Sequence, residues 1–233
     1  MDSKAAVEVQ STPEYLRALD RVAAQTEARP DVYIDILDGD MNIRHHTIDR
    51  AALEALSPRL AYPDFDGREH GVLNLAEESY DTFKLLNHFI VKGSLPTAAV
   101  NTLDELRHYE GLLISAWCFG YRYQVPKFQN AVMHDLIGLL QSRVDIIFHI
   151  QYTVHQVPID TPLGRLLLEK FVLASRKFGP EVQAEHWDYY DKLPSSREFV
   201  AALGAAFAEY ERDPMKLDGE LGDAVRGSYM VDL

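Results

Sequence analysis

Cysteine is almost missing from this sequence: Cys118 is the only one in 233 residues. A lone thiol has no partner within the chain, so no internal disulfide is available, which fits a reducing compartment such as cytosol or nucleus. It stands in the apolar run Leu113–Phe119, where a small buried hydrophobe is the expected role. Basic charge is also short, with 23 Lys and Arg against 36 Asp and Glu and a formal net charge of -13. No run of Lys or Arg offsets it. Phosphate backbones need clustered cations, so nucleic acid is excluded as the main partner and an anionic membrane surface is disfavoured. No apolar stretch approaches the roughly 18 residues that suggest a membrane span. Met1–Gln10 lacks the long apolar core of a secretion signal. Gly-x-Ser-x-Gly, the Gly-Lys-Ser/Thr phosphate loop, His-Glu-x-x-His and Cys-x-x-Cys are all absent. The expectation is a chain with no enzymatic activity, cofactor or metal.

What the chain does have is apolar content, 47% of its residues, enough to bury a sizeable core. Thr12-Pro13-Glu14 carries the signals of a helix start, and Tyr15, Leu19, Val22 and Ala23 recur at helical spacing up to about Ala28. Such a helix can pack on its own domain or on a second copy. From Asp31 the pattern changes to strand. Val32, Ile34 and Ile36 alternate with Tyr33, Asp35 and Leu37, and Asp38-Gly39 supplies a turn. The return strand, Asn42–Ile48, is more polar and reads as solvated and weakly paired; its adjacent His45 and His46 point to opposite faces and do not share a metal. Asp49 caps a short helix with Ala51, Ala52, Leu53 and Leu56 on its apolar face, stopped at Ser57-Pro58. Residues 61–71 read as an exposed loop in which Tyr62 and Phe65 are either displayed to a partner or tucked back onto the domain.

A short strand is predicted at Val72–Leu75, then a helix over about Glu78–Val91 with a buried stripe at positions 80, 83, 86, 89 and 90 and a Lys92-Gly93 stop. Thr102 with Glu105 has capping-box spacing and opens a helix to Gly120. Pro126 opens the next, and the short link predicts an antiparallel pair. Further helices are predicted at about 142–153, 161–177 and 195–211, extending the same core. Glu185–Asp191 reads as a small aromatic element, and the chain from Asp213 on as Gly- and Asp-rich and loosely held.

The order of these blocks resembles the BTB/POZ domain, in a divergent form similar to those of filamentous fungi. The run His46–Leu60 is similar to that family's first-helix pattern ending in Leu and Ser-Pro. Glu78–Pro96 resembles its Phe-containing helix with a Gly-x-Leu-Pro ending. Ala116–Ile137 resembles its Tyr-x-Val-Pro helix pair, and Thr161–Leu167 a block C-terminal to the domain in the fungal group. The sequence departs from the pattern where Asp49 replaces His, Arg50 replaces Lys, His46 replaces an apolar ring, and Ile90 or Val91 replaces Tyr.

The resemblance implies an α+β, BTB/POZ-like fold: a small mixed sheet, from a hairpin and short strands, flanked by helices and followed by an all-helical C-terminal extension. The implied divisions are 1–30 for an N-terminal tail and helix, 31–140 for the domain and 141–233 for the extension. It also implies a protein-interaction module of the cytosol or nucleus, a homodimer that recruits protein partners, with adaptor to a cullin-type ubiquitin ligase as an alternative. The Phe65 to Glu69 spacing is not the one expected of a cullin contact. Candidate protein-binding residues are Tyr15, Leu19 and Val22 of the first helix, Asp31 before the first strand, Asp49, Arg50 and Leu53 of the hairpin-proximal helix, and Tyr62, Phe65 and Glu69 of the loop.

Overall fold

The computed structural model describes residues 32–38, 40–61, 72–75, 78–97, 100–142, 157–178, 196–213 and 227–232, together with Arg17. Strand β1 (Val32–Leu37) runs down the middle of a three-stranded sheet, antiparallel to β2 (Ile43–Ile48) on one side and parallel to β3 (Val72–Asn74) on the other. Alternation fixes its faces: Val32, Ile34 and Ile36 are buried, while Tyr33 is exposed. The hairpin turn is held by one carboxylate. Asp38 accepts from the Asp40 and Asn42 amides at 3.0 and 2.9 Å and from Arg44 Nε at 2.8 Å. These bonds, the Asn42 amide first, hold its carboxyl below the usual range.

Strand β2 is solvated over Ile43–His45, as its composition predicted, but not over its second half, and it is not weakly paired. All six of its residues are in register with β1, and His46 and Ile48 are buried. His46 sits on the rings of Tyr80 and Phe83 at 5.4 and 5.0 Å, so an imidazole fills a core position that an apolar ring would suit. His45 points the other way, with Nδ1 2.7 Å from Asp35.

Asp49 begins helix α1 (Arg50–Leu56) by accepting from the Ala51 amide at 2.8 Å. A single turn, α2 (Pro58–Ala61), follows after the Ser57-Pro58 break. Ser57 is buried there and donates to the Tyr123 carbonyl at 2.6 Å. Helix α3 (Tyr80–Lys92) ends at Gly93, whose φ of 71° takes the left-handed conformation open to glycine. A one-sided stripe was expected on α3, but every residue from Thr82 to Phe89 is buried, polar ones included. The helix threads the interior, and two of its polar side chains find partners there: Lys84 reaches Asp81 at 2.9 Å, and His88 Nδ1 lies 3.0 Å from the Ser94 carbonyl.

Helix α4 (Leu103–Arg122) starts with the predicted capping box, Glu105 N–H to Thr102 Oγ1 at 3.2 Å and Thr102 N–H to Glu105 Oε2 at 3.2 Å. It runs past Gly120 to Arg122. Helix α5 (Pro126–Ser142) returns antiparallel: Tyr109 near the start of α4 meets Asp135 well along α5, while Gly120 near its end lies against Gln129. At that corner Gln124 adopts a φ of 55°. Helices α6 (Pro162–Phe178) and α7 (Ser196–Arg212) match the predicted spans closely and pack together through Phe171 and Phe199. One apolar cluster extends from Val32 through Trp117 and Val132 to Leu166, Phe199 and Tyr229, so these helices do extend a common core. Within the span 142–153 only Ser142 is described, as the end of α5, and 185–191 lies outside the described residues.

The expectation of a loose segment beyond Asp213 is corrected at its far end. Tyr229 is buried, and Asn130 and Val231 exchange two hydrogen bonds across the molecule. Residues 214–226 lie outside the described set.

Candidate interaction surfaces

The sheet packs one face on the core and presents the other. Register puts Tyr33, Asp35 and Leu37 of β1 beside Thr47, His45 and Ile43 of β2 on that outer face. Tyr33 is 48% and Ile43 58% exposed, and Met41 at the hairpin tip 74%. Large apolar side chains exposed on one face are candidates for a contact with a partner. The Asp35–His45 pair lies between them.

Of the predicted contact residues, Asp49, Arg50 and Leu53 are described. Asp49 is the cap of α1 and Arg50 is half-buried beside it. Leu53 has no exposed area at all: it faces the core, where a side chain holds α1 onto the fold and touches no partner. The outward positions of that helix are Ala51, Glu54 and Ala55. Tyr15, Leu19, Val22, Asp31, Tyr62, Phe65 and Glu69 lie outside the described residues.

A second region lies at the α4–α5 corner, where a cavity of about 710 Å3 is lined by Arg59, Tyr121, Arg122, Tyr123, Gln129 and Asp232, among others. Arg122 forks onto Glu78, with Nε to Oε1 at 2.9 Å and Nη2 to Oε2 at 2.5 Å. Gln129 is buried, and its Nε2 has no hydrogen-bond partner among the described residues. Beside this corner the segment Gly227–Asp232 lies on α5 and α6. Asn130 Nδ2 donates to the Val231 carbonyl at 2.9 Å, and the Val231 N–H donates to Asn130 Oδ1 at 2.8 Å. Arg165 donates to the Ser228 carbonyl at 2.9 Å, and the Tyr229 hydroxyl bonds the Glu169 carboxylate. Burial, reinforced by that carboxylate, pushes the Tyr229 hydroxyl up.

Sequence reading missed this second region. Arg165 and Glu169 are four residues apart on α6 and share a face, which was legible. What they hold arrives from 60 or more residues further on.

Cys118 is buried, and desolvation pushes its thiol to about 11, so it stays a protonated core residue at neutral pH. Among the described residues no group of three or more His, Cys, Asp and Glu stands together as a metal site would require. Nor is any described helix long and apolar enough to cross a membrane. Comparison with protein-family models and with curated proteins gives no match to this chain.

Proposed function

We propose that this protein is a non-enzymatic interaction module of BTB/POZ kind, which self-associates and recruits protein partners in the cytosol or nucleus. One observation carries the reading: the outer face of the β1–β2 sheet, on which Tyr33 and Ile43 stand exposed while the opposite face is buried. A half-buried sheet with large apolar residues on its open side gains by burying them against a second protein surface, each large side chain being worth about 1.5–3 kcal/mol when fully covered. The order of elements supports the same reading: hairpin, capped helix, a third strand parallel to the first, buried helix, then an antiparallel helix pair. The acidic chain, at -13, favours proteins over nucleic acid as partners. The single buried thiol supports a reducing compartment.

The test is the solution mass of the full chain by light scattering. The expected mass is twice 26.5 kDa, returning to one chain when Tyr33→Ser and Ile43→Ser are combined. A well-folded chain that keeps the mass of one copy at every concentration removes self-association from the reading. A dimer indifferent to the double substitution removes this face from it.

A further inference from the structure

The contacts of Gly227–Asp232 have the form of a receptor holding a peptide. Asn130 offers its amide oxygen and nitrogen to the N–H and carbonyl of one residue, Val231, as a neighbouring strand would. That pairing reads backbone and accepts any side chain. Specificity comes from the residue two positions earlier: the Tyr229 ring is buried, and its hydroxyl ends on Glu169. Arg165, one turn before Glu169, takes the Ser228 carbonyl. The segment arrives through a turn, with Met230 N–H donating to the Gly227 carbonyl at 3.2 Å, and leaves toward the corner cavity, which Val231 and Asp232 help to line.

A second cavity, of about 250 Å3, is lined by the same Arg165 and Glu169 with Leu168, Ala202, Ala206 and Tyr210. The segment's anchors are side chains of α5 and α6, and residues 213–226 separate it in sequence from α7.

We propose that this face of α5 and α6 is a recognition site for a peptide of the form Tyr-apolar-Val-acid. Its own Gly227–Asp232 segment fills it here, and the same segment of a second copy fills it in exchange. The exchanged contacts are those already present, so exchange needs no new surface. The inference deepens the self-association reading with a site remote from the sheet face, and the two fail independently. Within one copy the segment competes at the high effective concentration set by its tether, so the open site appears when that segment is weakened.

The test uses the full chain carrying Tyr229→Ala and a fluorescent peptide of sequence Arg226–Asp232. Anisotropy should show saturable binding, at least tenfold weaker once Asn130→Ala is added and weaker again for a peptide with phenylalanine at the tyrosine. A folded Tyr229→Ala chain that binds no peptide, or binds it regardless of Asn130→Ala, overturns the proposal. Should that variant fail to fold, hydrogen exchange of the unmodified chain decides. The Val231 amide should exchange at least a hundredfold faster than the Val132 amide inside α5. Equal protection means that the segment leaves only on global unfolding, and overturns the proposal as well.

Exchange between copies is read by mixing a Tyr229→Ala chain, which keeps the site, with an Asn130→Ala chain, which keeps the segment. Both carry Tyr33→Ser and Ile43→Ser. Energy transfer between dyes on the two should appear in the mixture and not with either alone. Its absence while the peptide binds removes the exchange. Loss of wild-type self-association through the sheet-face pair alone, with peptide binding intact, separates the two surfaces.

Discussion

At the scale of single residues, Glu110 is the most consequential. It is fully buried on α4, and neither carboxylate oxygen has a hydrogen-bond partner among the described residues. Desolvation raises its pKa from an ordinary 4.5 to about 8, so the folded protein keeps the proton that the unfolded chain releases. A raised carboxyl pKa means that folding stability falls as pH climbs from 4.5 to about 8 and levels off above it. Across that window the loss is about 1.4 kcal/mol per pH unit. Glu110→Gln carries no proton to lose. Its stability relative to the parent should rise between pH 5 and pH 8 in urea denaturation, and parallel curves for the two proteins would refute the assignment. Leu53 and His46 belong to the same scale. Both are counted among the buried residues, yet one was expected on a surface and the other on a solvated strand.

At the scale of elements, ends and close approaches decide. The capping box of α4 satisfies amide groups that the helix itself leaves unpaired. Thr102→Ala should lower stability by about 1 kcal/mol, seen as a shifted urea midpoint with an unchanged slope. Helix α6 begins against its own preceding turn, where Thr161 Oγ1 donates to the Pro158 carbonyl at 2.6 Å and accepts from the Gly164 amide at 3.1 Å. A Cβ on Gly164 would lie 2.5 Å from the Pro158 oxygen and 2.7 Å from the Ile159 oxygen. Both are backbone atoms and cannot rotate aside. Gly164→Ala should therefore cost about 1–3 kcal/mol although alanine is the better helix former, and a stabilised variant would contradict this packing. Gly120 is the milder case, since its nearest neighbour, 2.5 Å from the same ideal Cβ, is a carbon of the Gln129 side chain.

At the scale of the whole molecule, the two proposals rest on separate surfaces: the open sheet face, and the face of α5 and α6 that holds Gly227–Asp232. The helix predicted before the sheet, whose apolar stripe can pack on its own domain or on a second copy, adds a further expectation. Alanine at Tyr15, Leu19 and Val22 together should weaken self-association while circular dichroism stays unchanged. A sedimentation profile identical to the parent's would remove that helix from the interface.

Local features were legible because they are written in neighbouring residues. Alternation of Val32, Ile34 and Ile36 gave the strand and its faces, Thr102 with Glu105 gave a helix start, and Pro126 and Pro162 opened the helices that follow them. The helices at 162–178 and 196–212 followed from such signals, and the α+β class from the resemblance that the order of the blocks carries. Only the tertiary structure decided which polar residues go inside. His46 is buried because β2 has to match the inward positions of β1, and α3 is buried on all sides because other elements surround it. It alone decided that Val231 rests on Asn130, a partner 101 residues away. Periodicity reports which side of an element is apolar; what that side meets depends on chain closure over distances that no local pattern encodes.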